Sequence, residues 1–100
     1  MRTMRLRYTS DALAHLNAIY DFLAERNAPA ARRVVADIRG AAERLREFPR
    51  MARPGAVNGT HAWVVRGTPY LVVYEVDEAQ AEIRVLGVFH GAQDRNAESE

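Results

Sequence analysis

The chain contains no cysteine and no lysine. Without cysteine it can build no disulfide framework and no thiolate metal site, which suits a reducing cytosol. Without lysine, all 14 basic residues are arginine, and guanidinium is the only strong cation available. Arginine suits planar, bidentate contact with phosphate and carboxylate, although an arginine-only basic set also reads as the codon usage of a GC-rich genome. Net charge is only +1, which argues against a dedicated DNA binder. No run approaches the roughly 20 apolar residues of a membrane span. The basic residues 1–5 lack the apolar region of a signal peptide. A soluble, cytoplasmic protein with no membrane partner is therefore expected. The three histidines are scattered and no carboxylates are paired at ligand spacing, so no metal and no cofactor are expected. Ser10 and Ser99 have no His–acid pair near them in the pattern, and Gly55 and Gly59 precede no helix, so neither a nucleophilic triad nor a phosphate loop is indicated.

What is present begins with a β-rich second half. Residues 63–66, 70–76 and 81–90 are dense in Val, Ile, Tyr and Phe, which fit a pleated surface. Gly67-Thr68-Pro69 and Asp77-Glu78-Ala79-Gln80 separate them with turn residues. The pattern predicts an antiparallel meander of about three strands. Ahead of it, residues 4–9 alternate, with Met4, Leu6 and Tyr8 on one side and arginines on the other, as in a short strand at or near a sheet edge. Thr9-Ser10-Asp11 can accept the open N–H groups of a first helical turn. A helix is predicted over 11–26, with Leu13, Leu16, Tyr20 and Leu23 as its apolar stripe and Ala12 and Ile19 widening it. A second is predicted over 29–47, with Pro29 in its first turn, Val34, Ile38, Ala41, Leu45 and Phe48 on one face, and Pro49 ending it. His15 falls on the outer face of the first helix and His61 at a strand start, both incidental. Gly40, in mid-helix, suggests close approach to the first helix. Two prolines and two glycines mark 49–60 as irregular, with Arg50 and Arg53 beside no acidic residue.

The order is strand, helix, helix, then three strands. Two helices can cover only one face of such a sheet, which predicts a two-layer α+β domain: β-α-α-β-β-β, an antiparallel helix hairpin packed on one face of a mainly antiparallel, curved sheet. One domain is expected over 1–95, with a polar tail at 96–100 that frays.

This pattern resembles the RelE/ParE superfamily of toxins from type II toxin–antitoxin systems. The resemblance rests on "Leu45-Arg46-Glu47-Phe48-Pro49", on "Tyr70-Leu71-Val72-Val73-Tyr74-Glu75-Val76", and above all on "Ile83-Arg84-Val85-Leu86-Gly87-Val88-Phe89-His90-Gly91-Ala92-Gln93-Asp94". It implies a growth inhibitor neutralised by a cognate antitoxin of ParD or RelB type, contacting operator DNA only through that antitoxin. It also implies one of two targets. RelE-like members cleave mRNA on the ribosome, as metal-independent endoribonucleases. ParE-like members inhibit DNA gyrase and are not nucleases. An inactive relative that only forms the complex and autoregulates is a third reading.

Metal-free RNA cleavage must activate a 2′-hydroxyl, stabilise a pentavalent phosphate and protonate the leaving oxygen. RelE-like enzymes use clustered Lys and Arg, with Glu, His or a late Tyr. This chain has no Lys and no Tyr after Tyr74, and Gly91 follows His90 where some nucleases carry an aromatic residue. Arg66 as a phosphate clamp and His90 as an acid or base are the candidate catalytic residues if the chain is a nuclease. If their strands lie adjacent, both are expected to reach one rim of the sheet, with Arg50 and Arg53 arriving from the loop. Arg66 also reads as a turn-side surface residue and His90 as a histidine closing a strand. Arg50, Arg53 and Arg95 are candidate target or phosphate contacts, the first two equally at home in a solvated loop. For the antitoxin, the hairpin offers Tyr20, Phe22 and Val35 off the main stripe, with Arg32, Arg33 and Arg39 to meet acidic residues. The thin nuclease set favours the ParE-like reading.

Overall fold

The sheet is assembled around its last strand. In the computed structural model, which describes residues 3–92, β1 (Arg5–Tyr8) leads into helices α1 (Ser10–Ala24) and α2 (Ala28–Leu45). Strands β2 (Arg53–Pro54), β3 (Thr60–Val64), β4 (Tyr70–Asp77) and β5 (Glu82–His90) follow. Their order across the sheet is β1-β5-β4-β3-β2. All neighbours are antiparallel except β1 and β5, which run parallel from Arg5↔Glu82 to Tyr8↔Val85. The two-layer α+β architecture with a helix hairpin on one face is as expected. The expected boundary at residue 95 and the tail lie outside the described residues.

Alternation sends Tyr70, Val72, Tyr74 and Val76 of β4 to the helical face, where they meet Ile83, Val85 and Val88 of β5 with Leu16, Ile38, Ala42 and Leu45 from the helices. Val85 and Val88 are an odd number apart and would face opposite ways in a regular strand. A β-bulge reconciles them: Val73 pairs with Gly87 and Tyr74 with Val85, leaving Leu86 as the extra residue. The other face holds a charged lattice. Glu82, nearly inaccessible, lies 3.3 Å from Arg5, 3.8 Å from Arg7 and 2.8 Å from Arg84, and Arg84 also reaches Glu75 and Asp77. The arginines of β1 thus do more than discourage edge pairing.

Both helices start as their sequences predict. The Thr9 hydroxyl accepts from the Ala12 N–H at 3.1 Å, and Asn27 Oδ1 accepts from Ala30 N–H at 3.0 Å. Their ends differ from expectation. The second helix stops at Leu45, not residue 47. An α-helical bond to the Leu45 carbonyl needs the N–H of residue 49, which is proline, so the block acts four residues upstream. The Arg46 carbonyl accepts from Met4 N–H at 3.1 Å and its Nε donates to Met4 O at 2.8 Å, tying the end of α2 to the approach to β1. Phe48, past the helix end, is exposed rather than in the core, as is Leu13, which lies at the rim of its stripe. The segment 49–60 is not wholly irregular: β2 pairs with β3, with Pro54 tolerated on a sheet edge. A Cβ on Gly55 would lie 2.3 Å from the Thr60 hydroxyl, so any side chain there would force Thr60 to shift.

His15 is not incidental. β1 covers β5 only as far as Val85, and beyond it the strand edge needs other partners. Thr9 Oγ1 donates to the Leu86 carbonyl at 3.2 Å, and His15 Nδ1 accepts from Val88 N–H at 3.1 Å, its ring against Phe89. His15→Ala would leave that N–H unpaired, and an unpaired buried donor costs about 1–3 kcal/mol. Denaturant unfolding is expected to register a loss in that range.

Tyr74 spans the layers: its hydroxyl donates to the Pro49 carbonyl at 2.7 Å, and its ring stacks with His61. Burial pushes its phenol up to about 12, against weaker pulls from a backbone hydrogen bond and from Arg50. A raised phenol pKa means the folded state holds the proton more tightly than the unfolded chain. That stability is whole below pH 10 and is lost as pH climbs from 10 towards 12. Spectrophotometric titration is expected to find a tyrosine ionising near 12. Tyr74→Phe should remove that tyrosine and flatten the alkaline fall in stability.

Candidate functional site

Three strand ends form one rim. β3 finishes at Val64, β4 begins at Tyr70 opposite His90, and β5 finishes at His90. The β3–β4 turn is fixed by Gly67 at φ +83 and by Thr68, whose hydroxyl donates to Val65 O at 3.0 Å and accepts from Tyr70 N–H at 3.1 Å. Arg66 projects from this turn, exposed and with no ion-pair or hydrogen-bond partner among the described residues. His90 packs edge-on to Tyr70 with ring centroids 5.7 Å apart, and its Nδ1 accepts from Ala92 N–H at 3.2 Å. The neutral ring therefore carries its proton on Nε2.

Arg66 and His90 reach the same end of the sheet, although their strands are not adjacent. β4 runs between their strands, and two strand spacings amount to about 10 Å. Arg50 does not reach this rim. It pairs with Glu78 in the β4–β5 turn, at the far end of β4, so spatially it does have an acidic neighbour. Arg53 is on β2 and shares with Arg66 a shallow hollow on the outer face, floored by Met51, Ala62 and Val64. Arg95 lies outside the described residues.

The hairpin residues divide between surfaces. Phe22 is 55% exposed, with the Arg26 guanidinium 5.3 Å over its ring, and lines a hollow with Ile19, Tyr70 and His90. Tyr20 is half-buried. Val35 packs against the core, and Arg39 lies over the Tyr8 ring at 5.1 Å. Burial raises the Tyr8 phenol, with Arg39 pulling the other way. Arg32, Val35 and Arg39 share one side of α2, while Arg33 is turned roughly a quarter-turn from Arg32.

That quarter-turn leads to a feature that periodicity did not single out. Arg33 aligns with Ala36, Gly40 and Arg44, and the last three line a groove of about 470 Å³ between α2 and β3. Trp63, Val65 and Arg66 form its other wall. Gly40 does not serve helix packing as expected, because a Cβ there would meet nothing within 4 Å. The signal in the sequence was its exposed mid-helix position, with an arginine one turn on. No group of three or more His, Cys, Asp or Glu converges on a metal site among the described residues. What the arrangement offers is guanidinium and apolar surface, suited to anionic partners.

The fold has several solved counterparts. The structure of the chromosomal ParDE toxin–antitoxin system of Pseudomonas aeruginosa contains a chain with TM-score 0.76 and 25% identity, over 88% of this chain and 96% of that one. A chain of the RelBE2 toxin–antitoxin complex of Mycobacterium tuberculosis superposes with TM-score 0.67 at 23% identity, over 90% and 93%. The class is that of RelE/ParE superfamily toxins of type II systems. Residues 6–95 match the family described as the ParE toxin of the type II toxin–antitoxin system parDE, and the chain belongs to that family. The protein Y4kP of Sinorhizobium fredii, which carries a provisional toxin name, is 33% identical over 93 residues, spanning 93% of this chain and 94% of its own.

Since Arg50 is engaged at the opposite end from Arg66 and His90, Arg50→Ala is expected to leave growth inhibition on induction intact. Its exposed ion pair should be worth less than about 1 kcal/mol in denaturant unfolding.

Proposed function

We propose that this ParE-family toxin arrests growth by binding DNA gyrase in the cytoplasm, without cleaving nucleic acid, and that a ParD-like antitoxin neutralises it and carries any contact with operator DNA. The carrying observation is the state of His90. Its one basic lone pair accepts the Ala92 N–H, and β4 separates it from Arg66. A general base needs an open lone pair within about 3 Å of the proton it takes, and a phosphate clamp beside it. Among the described residues neither is assembled. A toxin that acts by binding needs no such constellation, only a surface. The ParE family match supports this branch, and solved relatives described as toxin–antitoxin complexes support an antitoxin partner. The common rim of Arg66 and His90 keeps ribosome-dependent mRNA cleavage as the alternative.

Purified toxin added to gyrase supercoiling reactions is expected to inhibit them, and added to translating ribosomes is expected to leave mRNA uncut. Ribosome-dependent cuts abolished by Arg66→Ala or His90→Ala would overturn the proposal in favour of the nuclease. No effect in either assay, with no growth arrest on induction, would identify a relative that acts only in complex formation and autoregulation.

A further inference from the structure

The outer face of the sheet divides into two halves of different character. Across β1, β5 and β4 its arginines are held by carboxylates: Arg5 and Arg7 by Glu82, and Arg84 by Glu75, Asp77 and Glu82. Across β3 and β2 lies the shallow hollow, about 480 Å³, lined by Met51, Arg53, Ala62, Trp63, Val64 and Arg66. Among the described residues no carboxylate lines it.

Strand pairing explains why these residues converge. Arg53 stands opposite Ala62 and Pro54 opposite His61, so the same register carried two residues back sets Met51 across from Val64. Ala62 and Val64 share a face by alternation, and Met51 and Arg66, just beyond the strand ends, extend it. Trp63 pairs with Val72 of the core, so its ring belongs to the helical side and contributes only a margin of the hollow.

Met51 and Val64 are large apolar side chains left 38% and 55% exposed, and they lie side by side. Apolar residues scattered singly over a surface need no explanation. An apolar pair flanked by guanidiniums, with acids kept out, has instead the makeup of an interface centre, where Met and Arg are enriched and Asp and Glu depleted. Arg66, like Arg32, Arg33 and Arg44 of α2, has no ion-pair or hydrogen-bond partner among the described residues. The neighbouring edge is less suited to a partner. β2 is two residues long, and its Pro54 has no N–H to offer an added strand. The face, and not the edge, is the surface on offer.

We propose that this hollow is where DNA gyrase docks. It takes an acidic segment of the gyrase protein, with an apolar side chain against Met51 and Val64 and carboxylates on Arg66 and Arg53. The assignment deepens the gyrase reading and rests on it. A guanidinium fork matches a carboxylate bidentately, and exclusion of water by the apolar pair strengthens that contact. A nucleic-acid strand would find the cations, but no ring of the lining is presented outward for a base to stack on.

The probe is purified, DNA-free gyrase holoenzyme, titrated over immobilised full-length toxin. Wild-type toxin is expected to bind it saturably, and more weakly as salt rises. Val64→Asp and Arg66→Glu should each weaken binding at least about tenfold, equivalent to about 1.4 kcal/mol, with supercoiling inhibition falling in step. Leu13→Asp, a similar change at a 41% exposed position on α1, should leave both unchanged. Arg66 is exposed in a turn, so Arg66→Glu should melt with the wild type and keeps the test independent of any folding defect at Val64. Undiminished gyrase binding by both hollow variants, with inhibition by the wild type, would overturn the docking surface and leave the gyrase reading standing. Wild-type binding that both variants lose, without inhibition of supercoiling, would uphold the surface and remove the inhibitor reading. Capture of gyrase only when it carries DNA, or of a DNA duplex alone, would assign the hollow to nucleic acid and overturn the proposal. No binding of gyrase at all would overturn both.

Discussion

The short parallel pairing of β1 with β5 is the constraint on which the rest of the molecule depends. It joins residues 77 apart in the chain, such as Arg5 and Glu82. The entropy of closing so long a loop grows only with the logarithm of its length, so a few good contacts suffice. β1 is four residues long, however, and β5 is nine. The uncovered half of β5 is closed by side chains of the segment that follows β1: Thr9, which also caps α1, and His15 one turn and a half further on. One stretch thus ends the strand, starts the helix and fixes the helix against the sheet. Once α1 is set over β5, the tight link at Asn27 sets α2 over β4, and β3 is left projecting.

Charge is distributed accordingly. On the outer face, where the described residues form no second layer, arginines and carboxylates alternate across β1, β5 and β4 and neutralise one another around Glu82. On the helical side the described carboxylates are fewer beside the groove, and its guanidiniums remain available. The small net charge hides this partition, because paired and unpaired arginines count equally in a sum.

Periodicity made the helices, the edge strand and the meander legible, and with them the two-layer arrangement. What it could not convey were effects that cross elements. The bulge at Leu86 is invisible within residues 85–89, where no polar side chain marks the alternation, yet it alone brings Val85 and Val88 to one face. Pro49 was read as a local stop, but its missing N–H acts at Leu45. His15 lies at a polar position of its helix in sequence and finds its partner on a strand 73 residues away. Arg50 had no acid beside it in sequence and has Glu78 in space. For the candidate site, the sequence identified Arg66 and His90 as the residues worth watching. Only strand order could say that β4 lies between them. The groove was harder still, since its two walls are separated in sequence and each alone looks like an ordinary surface.

A surface kept available for a partner makes a modest demand on stability here. An exposed ion pair contributes about 0–1 kcal/mol, so leaving Arg44 and Arg66 unpaired forfeits little. Gly40 adds roughly 0.5–1 kcal/mol. Against a typical stability of about 5–15 kcal/mol these are small sums. A nuclease centre is a different undertaking, because it must hold cations and an acid–base group within hydrogen-bonding reach against their mutual repulsion and desolvation. The fold that β1 and β5 secure could support either. In this chain the end of the sheet where such a centre would form instead spends its histidine on capping the backbone after β5, and the two guanidiniums of the groove, Arg44 and Arg66, stand on opposite walls. That distribution suits recognition of an extended anionic surface better than chemistry at a single phosphate.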